Sequence, residues 1–353
     1  MKLIISFITY NQASAKYLPA FLASLKESLA LAKNHFVDLD PLFFVFDNSD
    51  QDKNINKDIL KDFFINNNFS YKIWDEGQNL GFAKSYNIML SEALKKEINL
   101  FLVINPDVLV DNNFISELLK KEKQCPEISV FCPKILYWDF ANNTLTDIID
   151  SYGVSLNTAH RFFDRGQGLS STKYSDQEQE IFAFSGAGAL FRLNDFIDIA
   201  SLKEGQIKEG QREFFDEMMF MYKEDIDLSY RLQLAGKKIL FTPQALMYHD
   251  RTLSSQNNKI WRRIFSRKRN NSADHSLINH LIILEKIKNI PFSTKVKLRS
   301  KFRKFLLILF SFFFQRRALF SFWRLRLQIK QKGLKIKPKN REWEKIEEFM
   351  YRS

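Results

Sequence analysis

The stretch Leu100–Asp107, LFLVINPD, constrains the fold more than any other part of the chain. Five apolar residues run to Ile104 and break into Asn105-Pro106-Asp107. A short apolar run bounded by turn residues reads as a strand buried on both faces and ending in a tight loop. Ligands of open parallel sheets bind beyond the carboxyl ends of the strands. Asp107 is then a carboxylate held where a ligand would lie, and Pro106 stiffens its approach. A hard cation bridging phosphate oxygens needs one or two such carboxylates. The competing reading is a capped turn that starts a helix after Asp111.

The residues before this stretch alternate between two periodicities. Leu3–Thr9 reads as a strand, and Leu18, Leu22, Leu25 and Leu29 then recur at helical spacing. Leu42–Phe46 is a second apolar strand, ending in Asp47-Asn48-Ser49-Asp50. A polar helix over 55–64, a short strand over 71–74 and a helix after Asn79-Leu80-Gly81 follow. Strand–helix alternation predicts an α/β fold with a doubly wound, mostly parallel sheet. Three strand ends, at Thr9, Asp47 and Asn105, would present polar groups on one edge, the shape of a nucleotide site. The chain has neither a GxGxxG nor a GxxxxGK[ST] motif, which removes the two commonest phosphate-loop readings.

The second half is less regular. Residues 139–179 are polar and glycine-containing, which predicts a long excursion over the sheet. Residues 181–193, IFAFSGAGALFRL, read as an apolar strand interrupted by Gly186 and Gly188. Such glycines mark a bulge or a close approach of backbone to a ligand. Asp216, Glu217, Glu224, Asp225 and Asp227 lie among apolar residues in 214–227. A helix beginning at Lys223-Glu224-Asp225 should end before Gly236. Acids in a first turn also suit the helix dipole. Asp227 and Arg231, i,i+4 partners, form the simplest ion pair, which leaves Glu224 and Asp225 as candidates for a general base. Residues 238–242 and 245–249 read as two short strands around Pro243, placing His249 at an exposed end.

Seven pieces, in order, resemble the family 2 inverting glycosyltransferases of GT-A fold, especially their rhamnosyltransferase-like branch. They are ITYNQ (8–12), FDNSD (46–50), NLGFAKSYN (79–87), INPDV (104–108), FSGAGALFR (184–192), FFDEMMFMYKEDIDLSYRLQLAGKKI (214–239) and YHDRTLS (248–254). The resemblance covers roughly residues 1–255 and not the tail. It implies that Thr9, Tyr10 and Asn11 line the nucleotide pocket, that Asp47 contacts the base, and that Asn79 and Gly81 border the nucleotide. Asp107 takes the place of the last acid of the family's DxD motif, with Asn105 replacing the first. One carboxylate instead of two implies a divalent cation, Mg²⁺ or Mn²⁺, held mostly by the diphosphate. Asp225 matches the catalytic base, with Glu224 beside it, and His249 matches a histidine that completes the metal site. Gly186-Ala187-Gly188 lies where the sugar and acceptor pocket is shaped. The implied reaction is a single in-line displacement from a nucleotide-sugar donor to a glycan or lipid-linked acceptor. The implied donor is dTDP-rhamnose, with a UDP-hexose or a galactofuranose donor as the alternative. The competing class is a non-catalytic nucleotide-sugar-binding scaffold, which would have no use for a base.

Charge divides the chain. From Arg251 onward there are 27 Lys and Arg against 6 Asp and Glu, whereas the preceding residues carry 26 against 35. This predicts a catalytic domain over 1–255 and a basic helical extension over 256–353. The extension contains FLLILFSFFF (305–314), ten residues without charge, too few for a spanning helix of about 20. Leu298, Phe302, Phe305, Leu306 and Leu309 lie on one helical face, with Lys297, Lys301 and Lys304 opposite. That pattern suits a helix lying in an anionic membrane surface. The alternatives are packing on the catalytic domain or on a second copy in a homo-oligomer. No nucleic-acid fold signature accompanies the charge, so no nucleic-acid partner is expected. With no secretory h-region and with only Cys125 and Cys132, the expected place is the cytoplasm, peripheral on the inner face of the plasma membrane.

Overall fold

The structure is a computed structural model that describes residues 1–50, 55–200, 212–251, 271–332 and 340–352. The 255/256 boundary and the last three residues of the 248–254 motif fall outside these. The first half runs β1 (Lys2–Thr9), α1 (Asn11–Ala15), α2 (Leu18–His35), β2 (Asp40–Asp47), α3 (Asn56–Asn66), β3 (Ser70–Asp75), α4 (Gly81–Lys95), β4 (Leu100–Ile104), β5 (Val108–Val110) and α5 (Phe114–Gln124). Strands β3, β2, β1 and β4 are adjacent and parallel, as alternation predicts. Every residue of β4 is buried. Phe21, Leu22, Phe114 and Leu118 of α2 and α5 cover one face of the sheet, and Tyr86 and Met89 of α4 the other.

The excursion is more ordered than its polarity suggests. After the long strand β6 (Ile128–Asp139), it contributes β7 (Thr144–Ser151), β8 (Val154–Leu156) and β9 (Phe162–Asp164) and ends in β10 (Gln179–Glu180). β7 pairs with β6, and β8 with β9, both antiparallel. Of residues 181–193, only β11 (Gly188–Arg192) is a strand, antiparallel between β4 and β6. A Cβ at Gly188 would meet Met247 Sδ at 2.8 Å, so a larger residue there would have to displace the methionine.

After α6 (Ile197–Ala200) come α7 (Glu224–Leu234) and β12 (Lys238–His249). α7 is followed by Gly236 at φ +75°, the left-handed stop expected there. Instead of two strands around Pro243, β12 is one strand with a register shift between Thr242 and Leu246. Proline lacks the N–H for a ladder bond, so the strand bulges at it and resumes pairing with β6. Its far end also pairs with β5, His249 opposite Val108, so His249 is buried rather than exposed.

The tail is α8 (Asn271–Lys286), α9 (Thr294–Phe314), α10 (Arg316–Lys332) and α11 (Trp343–Tyr351). Leu281, Phe322, Ile346 and Met350 join Ile226 and Tyr230 of α7 in one apolar cluster. The seam also carries charge. Lys286 Nζ lies between Asp216 and Asp227, 2.5 Å from the latter, and Arg231 Nε reaches Asp227 at 3.0 Å. All four groups are buried. Removing one partner from such a network leaves uncompensated buried charge. Lys286→Ala should therefore lower unfolding free energy by about 3–5 kcal/mol, read as a fall in the denaturant midpoint; a change under about 1 kcal/mol would contradict the network's role.

Candidate active site

The carboxyl ends of β1 and β2 lie level, Thr9 opposite Asp47. Thr9 is buried with its hydroxyl unpaired, whereas Tyr10 is exposed. Asn11 adopts φ 45°, and its side-chain amide accepts from Asp50 N at 3.1 Å and donates to Asp50 Oδ2 at 3.1 Å. Asp47 is fully buried. Its Oδ1 accepts from Ser49 N (3.1 Å) and Ser49 Oγ (2.6 Å), and its Oδ2 has no partner. Asn48 Oδ1 accepts from Leu80 N at 3.1 Å, and Asn79 Oδ1 from Gly81 N at 2.8 Å. Gly81 has φ +78°, and a Cβ there would lie 2.5 Å from Phe220 O. Thr9, Asn11, Asp47, Asn79 and Gly81 thus form one rim of interlocked loops.

The second rim begins at Asp107, in the turn between β4 and β5. Just ahead of α5, Asp111 Oδ1 accepts from Asn113 N at 2.9 Å. The β5–β12 pairing carries Asp107 to His249, and Asp250 N donates to Asp107 O at 3.0 Å. His249 Nε2 is 3.4 Å from Asp107 Oδ1, and His249 Nδ1 is 2.7 Å from Asp150 Oδ2. Arg251 Nη1 then bridges Asp150 Oδ1 (3.0 Å) and Asp164 Oδ2 (2.8 Å). Charges alternate along this chain. Burial alone would lower the His249 pKa, but Asp107 and Asp150 raise it to about 10. Burial likewise opposes ionisation of Asp107, and the facing imidazolium outweighs it, holding the carboxyl below its ordinary value.

A divalent cation fits this pair of groups. Asp107 Oδ1 is buried yet makes no hydrogen bond, and the imidazole nitrogen facing it has its other side fixed by a carboxylate. A histidine oriented in this way through its second nitrogen is the usual arrangement of a metal ligand. Among the described residues no cluster of three or more His, Cys, Asp or Glu could hold a metal. Two protein ligands would leave the remaining positions to a diphosphate.

The third rim is the amino end of α7, where Lys223 opens the helix at φ 67°. Asp225 Oδ2 accepts from Gly186 N at 3.0 Å, and its Oδ1 from Ile226 N at 2.8 Å. One residue on, Ala187 O accepts from Asn105 N at 2.9 Å. The segment 185–187 therefore ties the Asp107 turn to Asp225 through two hydrogen bonds. A Cβ at residue 186 would stand 3.4 Å from Asp225 Oδ2, in ordinary contact, so the bond depends on the backbone here and not on glycine. Glu224 is buried with Oε2 unpaired. Burial, and then the charge of Asp225, hold the Glu224 pKa well above its ordinary value. Burial also raises Asp225, but two backbone N–H groups oppose the rise. Of the two adjacent acids, Asp225 is the one that receives donors, which favours its ionised form over that of Glu224.

Four residues that shape the site have no assigned role in the sequence reading. Asn87 pins residues 214–217 through bonds to the N–H groups of Phe214 and Phe215, to Phe215 O and to Glu217. Asn279 of the tail holds Met221 O and Tyr222 O. Asp150 and Asp164 lie in the polar excursion, where nothing local distinguishes them from surface acids. The only signal for Asn87 is its place at the end of NLGFAKSYN.

No curated protein matches the chain. One solved structure aligned to it is the mannosyltransferase PcManGT from Pyrobaculum calidifontis, in complex with GDP-Man and Mn²⁺. The two share 11% identity over 99% of this chain and 84% of that one, at a TM-score of 0.47. The pattern described as "Glycosyl transferase family 2" matches residues 5–199, more than half of the sequence. The chain, a glycosyltransferase with the α/β GT-A fold, belongs to glycosyl transferase family 2.

Proposed function

We propose that the chain is an inverting transferase that moves a sugar from a nucleoside-diphosphate donor to a hydroxyl of a lipid-linked or growing cell-surface glycan. The observation that carries this reading is the segment 185–187, hydrogen-bonded to Asn105 on one side and to Asp225 on the other. It supports a geometry in which one sugar ring lies between a diphosphate-side carboxylate and a base. Thr9, Tyr10, Asn11, Asp47, Asn79 and Gly81 bound the nucleoside. Asp107 and His249 would hold Mg²⁺ or Mn²⁺, which when bound supplies positive charge against the departing diphosphate. Asp150 keeps the His249 ring oriented through Nδ1. Asp225 Oδ2 or Oδ1 takes the proton of the attacking hydroxyl as the bond to the anomeric carbon forms. The two N–H donors keep this carboxylate aimed, while neutral Glu224 adds no competing charge. Gly186 and Ala187 supply backbone where side chains would obstruct the sugar.

Rhamnose from dTDP-rhamnose is the donor we favour, since Asn105-Pro106-Asp107 follows the rhamnosyltransferase-like pattern; a UDP-hexose or galactofuranose is the alternative. We read residues 1–255 as the catalytic domain and 256–353 as an extension. Among the described residues no helix is long and apolar enough to cross a membrane. The exposed apolar face of α9 favours a peripheral place on the inner face of the plasma membrane. Burial of Ile346 and Met350 means that removing the extension would strip the catalytic domain, so membrane binding is better tested by point substitution.

Two outcomes are expected. Asp225→Asn should lower kcat by about 10²-fold or more, with donor affinity kept, whereas Glu224→Gln, which mimics the neutral acid, should stay within a few-fold of wild type. Loss in Glu224→Gln with activity in Asp225→Asn would reverse the assignment. Because the folded site raises the Asp225 pKa, kcat should fall as pH drops through a value above that of an ordinary Asp. Second, titration calorimetry with dTDP, UDP and GDP should show tighter binding in Mn²⁺ than in chelator, and Asp107→Asn should erase that difference. Equal Mn²⁺ enhancement in the variant would remove Asp107 from the metal site.

A further inference from the structure

Helices α9 and α10 contain no acidic residue. One side of α9 packs inward through Val296 and Ser311, and α10 packs through Ala318 and Phe322. The other side is open: Phe302, Phe305, Phe313 and Phe320 are 63%, 59%, 62% and 75% exposed. An apolar ridge of this size on a soluble surface marks an interaction site.

The cations of these helices fall into two groups. Lys304 and Arg326 are neutralised by buried Glu285, at 2.6 and 3.2 Å. Arg299 and Arg303 are not. Arg299 Nη1 donates to Thr158 Oγ1 at 2.7 Å, and Arg303 Nε lies 3.5 Å from His280 Nε2. Arg161, at the start of the β8–β9 hairpin's second strand, adds its charge beside Arg303. Among the described residues none of these three arginines forms an ion pair with a carboxylate. Lys223 lies within the field of Arg303 and donates to Ser276 Oγ at 3.0 Å, two residues before Asp225. His280, buried between them, is held neutral by burial and by the cations around it. The result is a cluster of three arginines without carboxylate partners, next to Lys223, whose own charge faces Asp225, Asp164 and Glu224. Along α9 the order runs from Arg299 and Arg303 to Phe312–Phe314, about 15 Å further at 1.5 Å per residue.

Guanidinium groups set among exposed apolar side chains on one helix match a molecule that joins a phosphate to a hydrocarbon tail. Planar guanidinium groups suit phosphate oxygens, which accept two donors at once. We propose that Arg161, Arg299 and Arg303 bind the phosphate or diphosphate of a lipid-linked acceptor, whose tail lies in a membrane leaflet entered by the Phe ridge of α9 and α10. The acceptor role rests on the glycosyltransferase reading above; the phosphate site itself does not. Bound in this way, the lipid presents the sugar beyond its phosphate towards Asp225.

The full chain tests this by cosedimentation with three kinds of vesicle. They are phosphatidylcholine alone, phosphatidylcholine with phosphatidylglycerol, and phosphatidylcholine with undecaprenyl phosphate at matched charge. Wild type should partition about tenfold more strongly onto undecaprenyl phosphate than onto phosphatidylglycerol. The double variant Arg299→Gln/Arg303→Gln, both at exposed or half-buried positions, should lose that preference. Phe305→Ser/Phe313→Ser should weaken partition onto all three vesicles. Equal partition onto the two charged vesicles would overturn the proposal in favour of generic headgroup attraction. Equal binding of inorganic pyrophosphate by wild type and the arginine variant, without vesicles, would overturn the assignment of the cluster. Wild-type affinity for dTDP, UDP and GDP, measured on the same preparation, separates the two readings. Absence of binding to all three alongside a kept lipid preference would overturn the nucleotide-sugar reading and leave the lipid-phosphate site standing.

Discussion

The site depends on a short piece of backbone that carries no catalytic group. Residues 185–187 give one carbonyl to Asn105 and one N–H to Asp225. A strand edge and a helix end, contributed by distant parts of the chain, are thereby fixed against each other. Hydrogen bonds of this kind are individually modest, roughly 1 kcal/mol in net stability. Their value here is positional. A turn held in this way keeps Asp107 and Asp225 at a fixed offset.

Electrostatics supports the same division of labour. On one side, Asp107, His249, Asp150, Arg251 and Asp164 alternate in sign, so each charge is opposed by its neighbours. On the other, Glu224 and Asp225 share a sign and are resolved by unequal donors rather than by a counterion. The first arrangement favours a stable set of charges ready to meet a cation. The second favours a proton that is easily accepted.

Much of this was legible in the sequence because it follows from local pattern. Periodicity found the parallel half of the sheet, since apolar alternation is set by burial at the core. Turn chemistry at Asn105-Pro106-Asp107 and the acidic start of α7 pointed to the ligand edge. Pairings across the chain were not legible. Asp150 reads as one acid in a polar stretch, and only the antiparallel return of β7 along β6 brings it to His249. His249 was expected at an exposed end because a strand's last residue often is; its pairing with both β5 and β6 buries it. The tail's composition announced a surface helix correctly but concealed that its neighbours α8 and α11 form core. The family match ends at residue 199, before Asp225 and His249, so these two residues rest on geometry and motif alone.

The ammonium of residue 286 has a meaning for how the polypeptide should be divided. The abrupt change from acidic to basic composition near residue 251 invites a cut there, as if two independent modules were joined. Yet this single amine serves one acid, Asp216, from the loop ahead of α7 and another, Asp227, from α7 itself. The thermodynamic unit is accordingly larger than the compositional one. The Phe ridge of α9 and α10 is thereby connected, through the packing of α8, to the helix that bears Asp225.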